Sequence, residues 1–193
     1  MKLIATLAIA LGSILSCAAV SPDMADYQNR LQRFRSGAVM TEPEVATVYY
    51  GTALQPGFNP MTEHTALEQA YSTGDMQRAL TLSRQILEKD PTDLSALFKA
   101  YAAATAAKDP GAPALHTQLL QICDAIFHSG KGVTDSSPYV ITHRADLDQF
   151  LQKYLQPVSI NGRARVGSLD AVKVTLEGIP EEIILYFSTF PAK

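Results

Sequence analysis

The stretch most suggestive of chemistry is His128-Ser129-Gly130-Lys131-Gly132-Val133-Thr134-Asp135-Ser136-Ser137. Two glycines let a backbone turn tightly and present N–H groups, and Lys131 adds a positive charge. Such a loop can cradle a phosphate or a carboxylate. The competing reading is a helix C-cap followed by a crossing loop, and it is favoured because no helix starts directly after the glycines, as a phosphate loop requires. The pair Tyr49-Tyr50 before Gly51 is the second candidate. Neighbours on a helix point about 100° apart, so one ring is expected to pack while the other offers its hydroxyl to a partner, and a core role for the pair is favoured over a ligand contact. His143 completes the set, just beyond an expected strand.

Other chemistry is harder to find. No glycine pattern of the dinucleotide or Walker type follows a strand, and there is no H-E-x-x-H, G-x-S-x-G or EF-hand loop. His64, His116, His128 and His143 show no ligand spacing, so no metal site, cofactor or catalytic residue is expected. Cys123 shares an apolar helix face with Leu115, Leu119, Ile122 and Ile126, which makes it a buried small hydrophobe rather than a reactive thiol. With Cys17 as the other cysteine there is no disulfide framework, and a core must hold the fold.

Composition narrows the partners. The 193 residues carry 16 Lys+Arg and 19 Asp+Glu, a formal net charge of −3. No basic run offers itself to nucleic acid. Arg30, Arg33 and Arg35 on the first helix read as a solvated face. Residues 1–20 read as an export signal: Lys2, an uncharged, mostly apolar run Leu3–Leu15, then small residues. The run is shorter than the ~20 residues that span a bilayer. Two processing routes stay open. Ile14-Leu15-Ser16-Cys17 approximates a lipoprotein box, in which Cys17 carries lipid, and cleavage after Ala18 or Ala19 also fits. A lipid on Cys17 would be the sole membrane attachment. The expected address is the periplasm or an envelope membrane.

The elements that must position these residues follow from periodicity. Tyr27, Leu31 and Phe34 line one face of a helix over 21–37. Thr41-Glu42-Pro43-Glu44 starts a second, which buries Val45, Val48 and Tyr49 and should stop at Gly51. After a Pro/Gly loop, helices are expected near 63–72, 76–89, 93–107 and 114–128. Ala79, Leu82, Ile86 and Leu87 face inward on one, and Leu94, Leu97, Phe98 and Tyr101 on the next. From residue 129 the period changes. A strand at 139–142, a helix at 145–154, a short strand around Val158 and Ile160, and strands at 171–176 and 183–187 complete the chain. The last is apolar on both faces, as in a covered central strand. The class is α+β: helical hairpins over 21–128, then a small, mostly antiparallel sheet with a packed helix over 129–193, the two packed as one unit.

Gly74, Ala79 and Pro91 have the spacing of a tetratricopeptide repeat, which the 71–91 stretch resembles. Glu63 stands where that repeat has a large aromatic, so the resemblance is to one and a half or two degenerate repeats. A wider set of residues spans the chain: Arg33-Phe34 with Gly37, Met40-Thr41-x-x-Glu44, Tyr49-Tyr50-Gly51, Gly74-Asp75-x-x-x-Ala79-Leu80, Ile86-Leu87, Asp90-Pro91, Ile126, Ser129-Gly130-x-Gly132, Tyr139-Val140-Ile141 and Ile184-Leu185-Tyr186-Phe187. In these the chain resembles a bacterial family of unknown function, DUF4919. The resemblance implies exported proteins with helical hairpins and a C-terminal sheet, and no activity. Lys131 stands where the family's loop is more often acidic, which argues against cation binding there. The expected function is a non-catalytic envelope scaffold that binds another protein or a peptide. The alternative is a small-ligand binder or enzyme built on the 128–137 loop with Tyr49, Tyr50 or His143.

Overall fold

A computed structural model describes residues 24–191, so the expected export signal and Cys17 lie outside the described residues. Six helices come first: α1 (Met24–Arg35), α2 (Glu42–Ala53), α3 (Thr65–Ser72), α4 (Met76–Lys89), α5 (Leu94–Ala106) and α6 (Ala112–His128). Then follow β1 (Tyr139–Ile141), α7 (Asp146–Phe150), a π-helical turn (Leu151–Leu155), β2 (Ser159–Val166), β3 (Leu169–Thr175) and β4 (Ile183–Thr189). The α+β class holds, helices first and sheet last. The strand order is β1-β4-β3-β2, with β1 parallel to β4 and the other two pairings antiparallel.

Local chemistry starts the helices where expected. At α2 the Glu44 carboxylate reaches back and accepts from the Thr41 N–H (2.9 Å) and hydroxyl (3.0 Å). Asp75 caps α4 by accepting from the Arg78 N–H at 3.1 Å. Asp93 caps α5 by accepting from the Ala96 N–H at 2.7 Å. Gly74 sits at φ +78°, the conformation that lets α3 end and α4 begin two residues later.

Packing explains the departures. Gly51 does not end α2, which runs on to Ala53. Gly51, Thr52 and Ala53 are buried, and the Tyr27 hydroxyl is 3.0 Å from Thr52 Oγ1, so tertiary contacts hold a turn that a glycine alone would release. The helix expected over 145–154 ends in a π turn, closed by the Gln156 N–H on the Leu151 carbonyl at 2.7 Å. Phe150 and Tyr154 stack there (5.3 Å), and the Tyr154 hydroxyl donates to Asp124 at 2.6 Å. The short strand at 158–160 is an eight-residue edge strand, nearly all exposed. β4 is central but covered on one face: Leu185 and Phe187 are buried while Ile184 is 41% exposed.

One core joins the two halves of the chain. Phe34, Tyr49, Leu97 and Ile126 from the helices pack in one cluster with Ile141, Phe150, Val172 and Phe187 from the C-terminal half. A second, alanine-rich cluster (Leu67, Ala70, Ala79, Ala96, Ala100, Ala103) lets α3, α4 and α5 approach closely. α5 is buried on most of its circumference, because it faces both clusters. No helix among the described residues is long and apolar enough to cross a membrane.

Candidate functional site

The 128–137 loop turns out to be internally bonded. Ser129 Oγ donates to the Ile126 carbonyl (2.6 Å) and accepts from the Val140 N–H (2.8 Å). The Lys131 N–H donates to Ser137 Oγ at 3.0 Å, and the Gly132 N–H donates to the Ser137 carbonyl at 2.9 Å. Those are the donors an anion cradle would need, and they serve the loop itself. The glycines are there for close approach. A Cβ on Gly130 would fall 2.1 Å from the Pro138 carbonyl oxygen. One on Gly132, at φ +73°, would fall 2.1 Å from the Tyr139 ring. Lys131 is exposed, and the loop joins α6 to β1.

The two tyrosines are likewise engaged within the chain. The Tyr50 hydroxyl donates to the Val140 carbonyl at 3.1 Å, its ring meets Phe190 edge-on, and burial pushes its hydroxyl up to about 12. Tyr49 is fully buried. Its hydroxyl donates to Asp146 Oδ2 (2.6 Å) and accepts from the Thr142 N–H (3.0 Å). Burial and the neighbouring Asp146 carboxylate raise its pKa well above that of free tyrosine. Both hydroxyls bond within the chain, in keeping with a core role for the pair. Cys123 is buried as expected, and burial pushes its thiol up to about 12.

His143 leads to a constellation that the sequence conceals. It follows β1, is buried, and meets Phe58 edge-on at 4.7 Å. Its Nε2 lies 2.9 Å from Asp90 Oδ2, in the α4–α5 turn. Its Nδ1 lies 3.3 Å from Thr142 Oγ1 and 3.7 Å from Asp146 Oδ2. Burial would lower the imidazole's pKa, but hydrogen bonds and charges from Asp146 and Asp90 outweigh it and push it up to about 11. Asp93 stands at the start of α5, and His64, just before α3, places Nε2 2.7 Å from Asp93 Oδ2. Burial raises the Asp93 carboxyl, while the His64 hydrogen bond, the nearby His143 and the Ala96 N–H together bring it below the usual range.

The two carboxylates share a design. Asp90 Oδ1 accepts from the Thr92 N–H (3.1 Å) and hydroxyl (3.0 Å), and Asp93 Oδ1 accepts from the Ala96 N–H. In each, one oxygen is tied to the local turn and the other is turned towards a histidine. Two histidines and two aspartates thus gather around the α4–α5 turn, although His64 and His143 are 79 residues apart in the sequence. Two of the four histidines share one cluster, which their spacing in the sequence does not reveal. The local signal was present in Asp90-Pro91-Thr92-Asp93, but it reads as a helix stop and a cap.

A cleft of about 950 Å³ opens on this cluster. α1, the α2–α3 loop, α3 and α4 form its walls. Leu31, Leu67 and Ile86 give it apolar surface, Arg35 and Lys89 bring positive charge, and His64, Asp90 and Asp93 line it too. Of the residues singled out from the sequence, His143 joins the cluster bordering this cleft, while Tyr49, Tyr50 and Ser129–Gly132 do not line it.

No curated protein and no solved structure matches the chain. A family model does match, over residues 19–189. The chain therefore belongs to the family described as Domain of unknown function (DUF4919).

Proposed function

We propose that this is an exported protein of the bacterial cell envelope that binds an extended peptide, or a segment of another envelope protein, in the cleft of its helical half, without catalysing a reaction on it. The observation that carries this reading is the cleft itself. At about 950 Å³ it is at the upper end of the range typical of ligand sites. Its lining alternates apolar side chains with Gln28, Asn59 and Gln85, which can pair with a peptide backbone. Support for the address comes from Lys2 and the Leu3–Leu15 run.

Site-specific photocrosslinking in cells tests the reading. A crosslinker at Gln28 or Gln85, both exposed and lining the cleft, is expected to trap a discrete partner. The same group at Ser136, on the connector loop, is expected not to. Adducts of equal yield from all three positions, or from Ser136 alone, would contradict a cleft-centred function.

A further inference from the structure

We infer that Asp90, Asp93 and His143 form a binding site for a divalent transition-metal ion of the zinc class, at the cleft's edge. One ligand atom from each lies within 4.8 Å of the other two. Ligand bonds to zinc are about 2.0–2.2 Å, which sets tetrahedral ligand atoms about 3.4 Å apart, so side-chain shifts of about an ångström would bring these atoms onto one ion. An imidazole nitrogen with two carboxylate oxygens and no sulfur suits a borderline first-row cation better than calcium or magnesium, which prefer all-oxygen shells.

The surroundings supply what a metal site needs beyond its ligands. Thr142 Oγ1 is placed to accept from His143 Nδ1–H and to donate in turn to Asp146 Oδ2 at 3.3 Å. Without metal, Nε2 donates its proton to Asp90 Oδ2; an arriving ion would displace that proton and take the Nε2 lone pair, while Nδ1–H stays on Thr142 Oγ1. Asp146 is fixed by three donors at one oxygen: the Tyr49 hydroxyl, the Thr142 hydroxyl and the His143 N–H. The Asp90 and Asp93 carboxylates are each oriented through Oδ1 by the α4–α5 turn. His64 donates to Asp93 from beside the cleft and supports that ligand in turn. Three protein ligands leave a coordination position for water or for a group arriving through the cleft, which Asp90 and Asp93 line.

The ring of partners explains why so many polar groups are buried together. Tyr49, the one member of the notable tyrosine pair that reaches the cluster, acts as an outer support for His143 through Asp146. This inference does not depend on peptide binding, and it can fail or hold separately from it.

The test uses the untagged, full-length protein washed with chelator and titrated with Zn²⁺ alone, with bound metal quantified by equilibrium dialysis. The expected result is one saturable ion per chain, reversed by chelator, with a rise in melting temperature. Asp90→Asn, at the cleft-lining ligand, is expected to weaken binding about tenfold or more. His143→Gln is expected to do the same, and because His143 is buried its fold is checked by circular dichroism. Should that variant not fold, Asp90→Asn decides. His116→Gln, His128→Gln and Cys17→Ser are expected to leave affinity unchanged. Co²⁺ bound to the wild type should give a ligand-field spectrum that Asp90→Asn alters. Absence of one-to-one binding, or binding that Asp90→Asn leaves intact, would overturn the assignment.

Discussion

At the residue scale, the chain uses its most suggestive groups as internal fastenings. Gly132 is the sharpest case, because it combines a positive φ with a position against the Tyr139 ring. Gly132→Ala is expected to destabilise the fold by about 1–3 kcal/mol, from strain and overpacking together. Urea denaturation measures it, and a loss below about 0.5 kcal/mol would show that the loop adapts freely. Glu44 gives a pH-dependent counterpart. The Thr41 N–H, the Arg33 guanidinium and the Thr41 hydroxyl hold its carboxyl at about 2, against an ordinary value of 4.5. A depressed native pKa adds stability above the unfolded value, and that stability is lost as pH falls through the native value. The advantage of wild type over Glu44→Gln should therefore shrink between pH 4.5 and 2. An advantage that stays constant across that window would mean that the carboxylate is not engaged. The same scale shows why sequence reading missed the Asp90, Asp93 and His143 cluster. Each aspartate visibly performs a local task through Oδ1, stopping α4 or capping α5. The task of Oδ2 is with a histidine distant in the chain, and no spacing rule exposes that.

At the element scale, helices were the legible part. Helical periodicity marked α1 through Tyr27, Leu31 and Phe34, and all three are buried. It also marked Ala79, which is fully buried among Leu67, Ala70 and Ala96. Ala79→Leu is expected to overpack this alanine-rich contact by about 1–3 kcal/mol, which a thermal or urea melt would register. An unchanged stability would mean that the α3–α4 hairpin has room to spare. The sheet was less legible, since strand length depends on partners. β2 reaches eight residues because β3 pairs with it almost throughout, although none of its own residues is buried. Its outer edge carries guards against pairing with other chains: a register irregularity between Ile160 and Gly162, and charges at Arg163 and Arg165. Arg163 pairs with Asp148 of α7, which ties the edge back to the body.

At the scale of the whole molecule, the helices and sheet share one core, and the cleft with its ionisable cluster belongs to the helical half. The α+β arrangement was readable because the period of apolar residues changes after residue 129. The cleft was not, because it is lined jointly by α1, α3, α4 and the loop between α2 and α3, which lie far apart in the sequence. That loop carries Pro56, Gly57 and Pro60, read from sequence as a simple connector, yet Pro56–Asn59 form part of the wall. The connector loop at 128–137, which the sequence offered as the place to watch, is occupied with closing α6 onto β1.

The central claim is that ligands enter this cleft. Its most direct test is to select peptides from a random display library on the full-length protein and map the winner by amide chemical shifts. The account predicts perturbations concentrated in residues 27–35, 55–67 and 82–93, and a loss of affinity in Ile86→Glu. Perturbations concentrated in 129–137 or along β2, with Ile86→Glu binding as well as wild type, would contradict it.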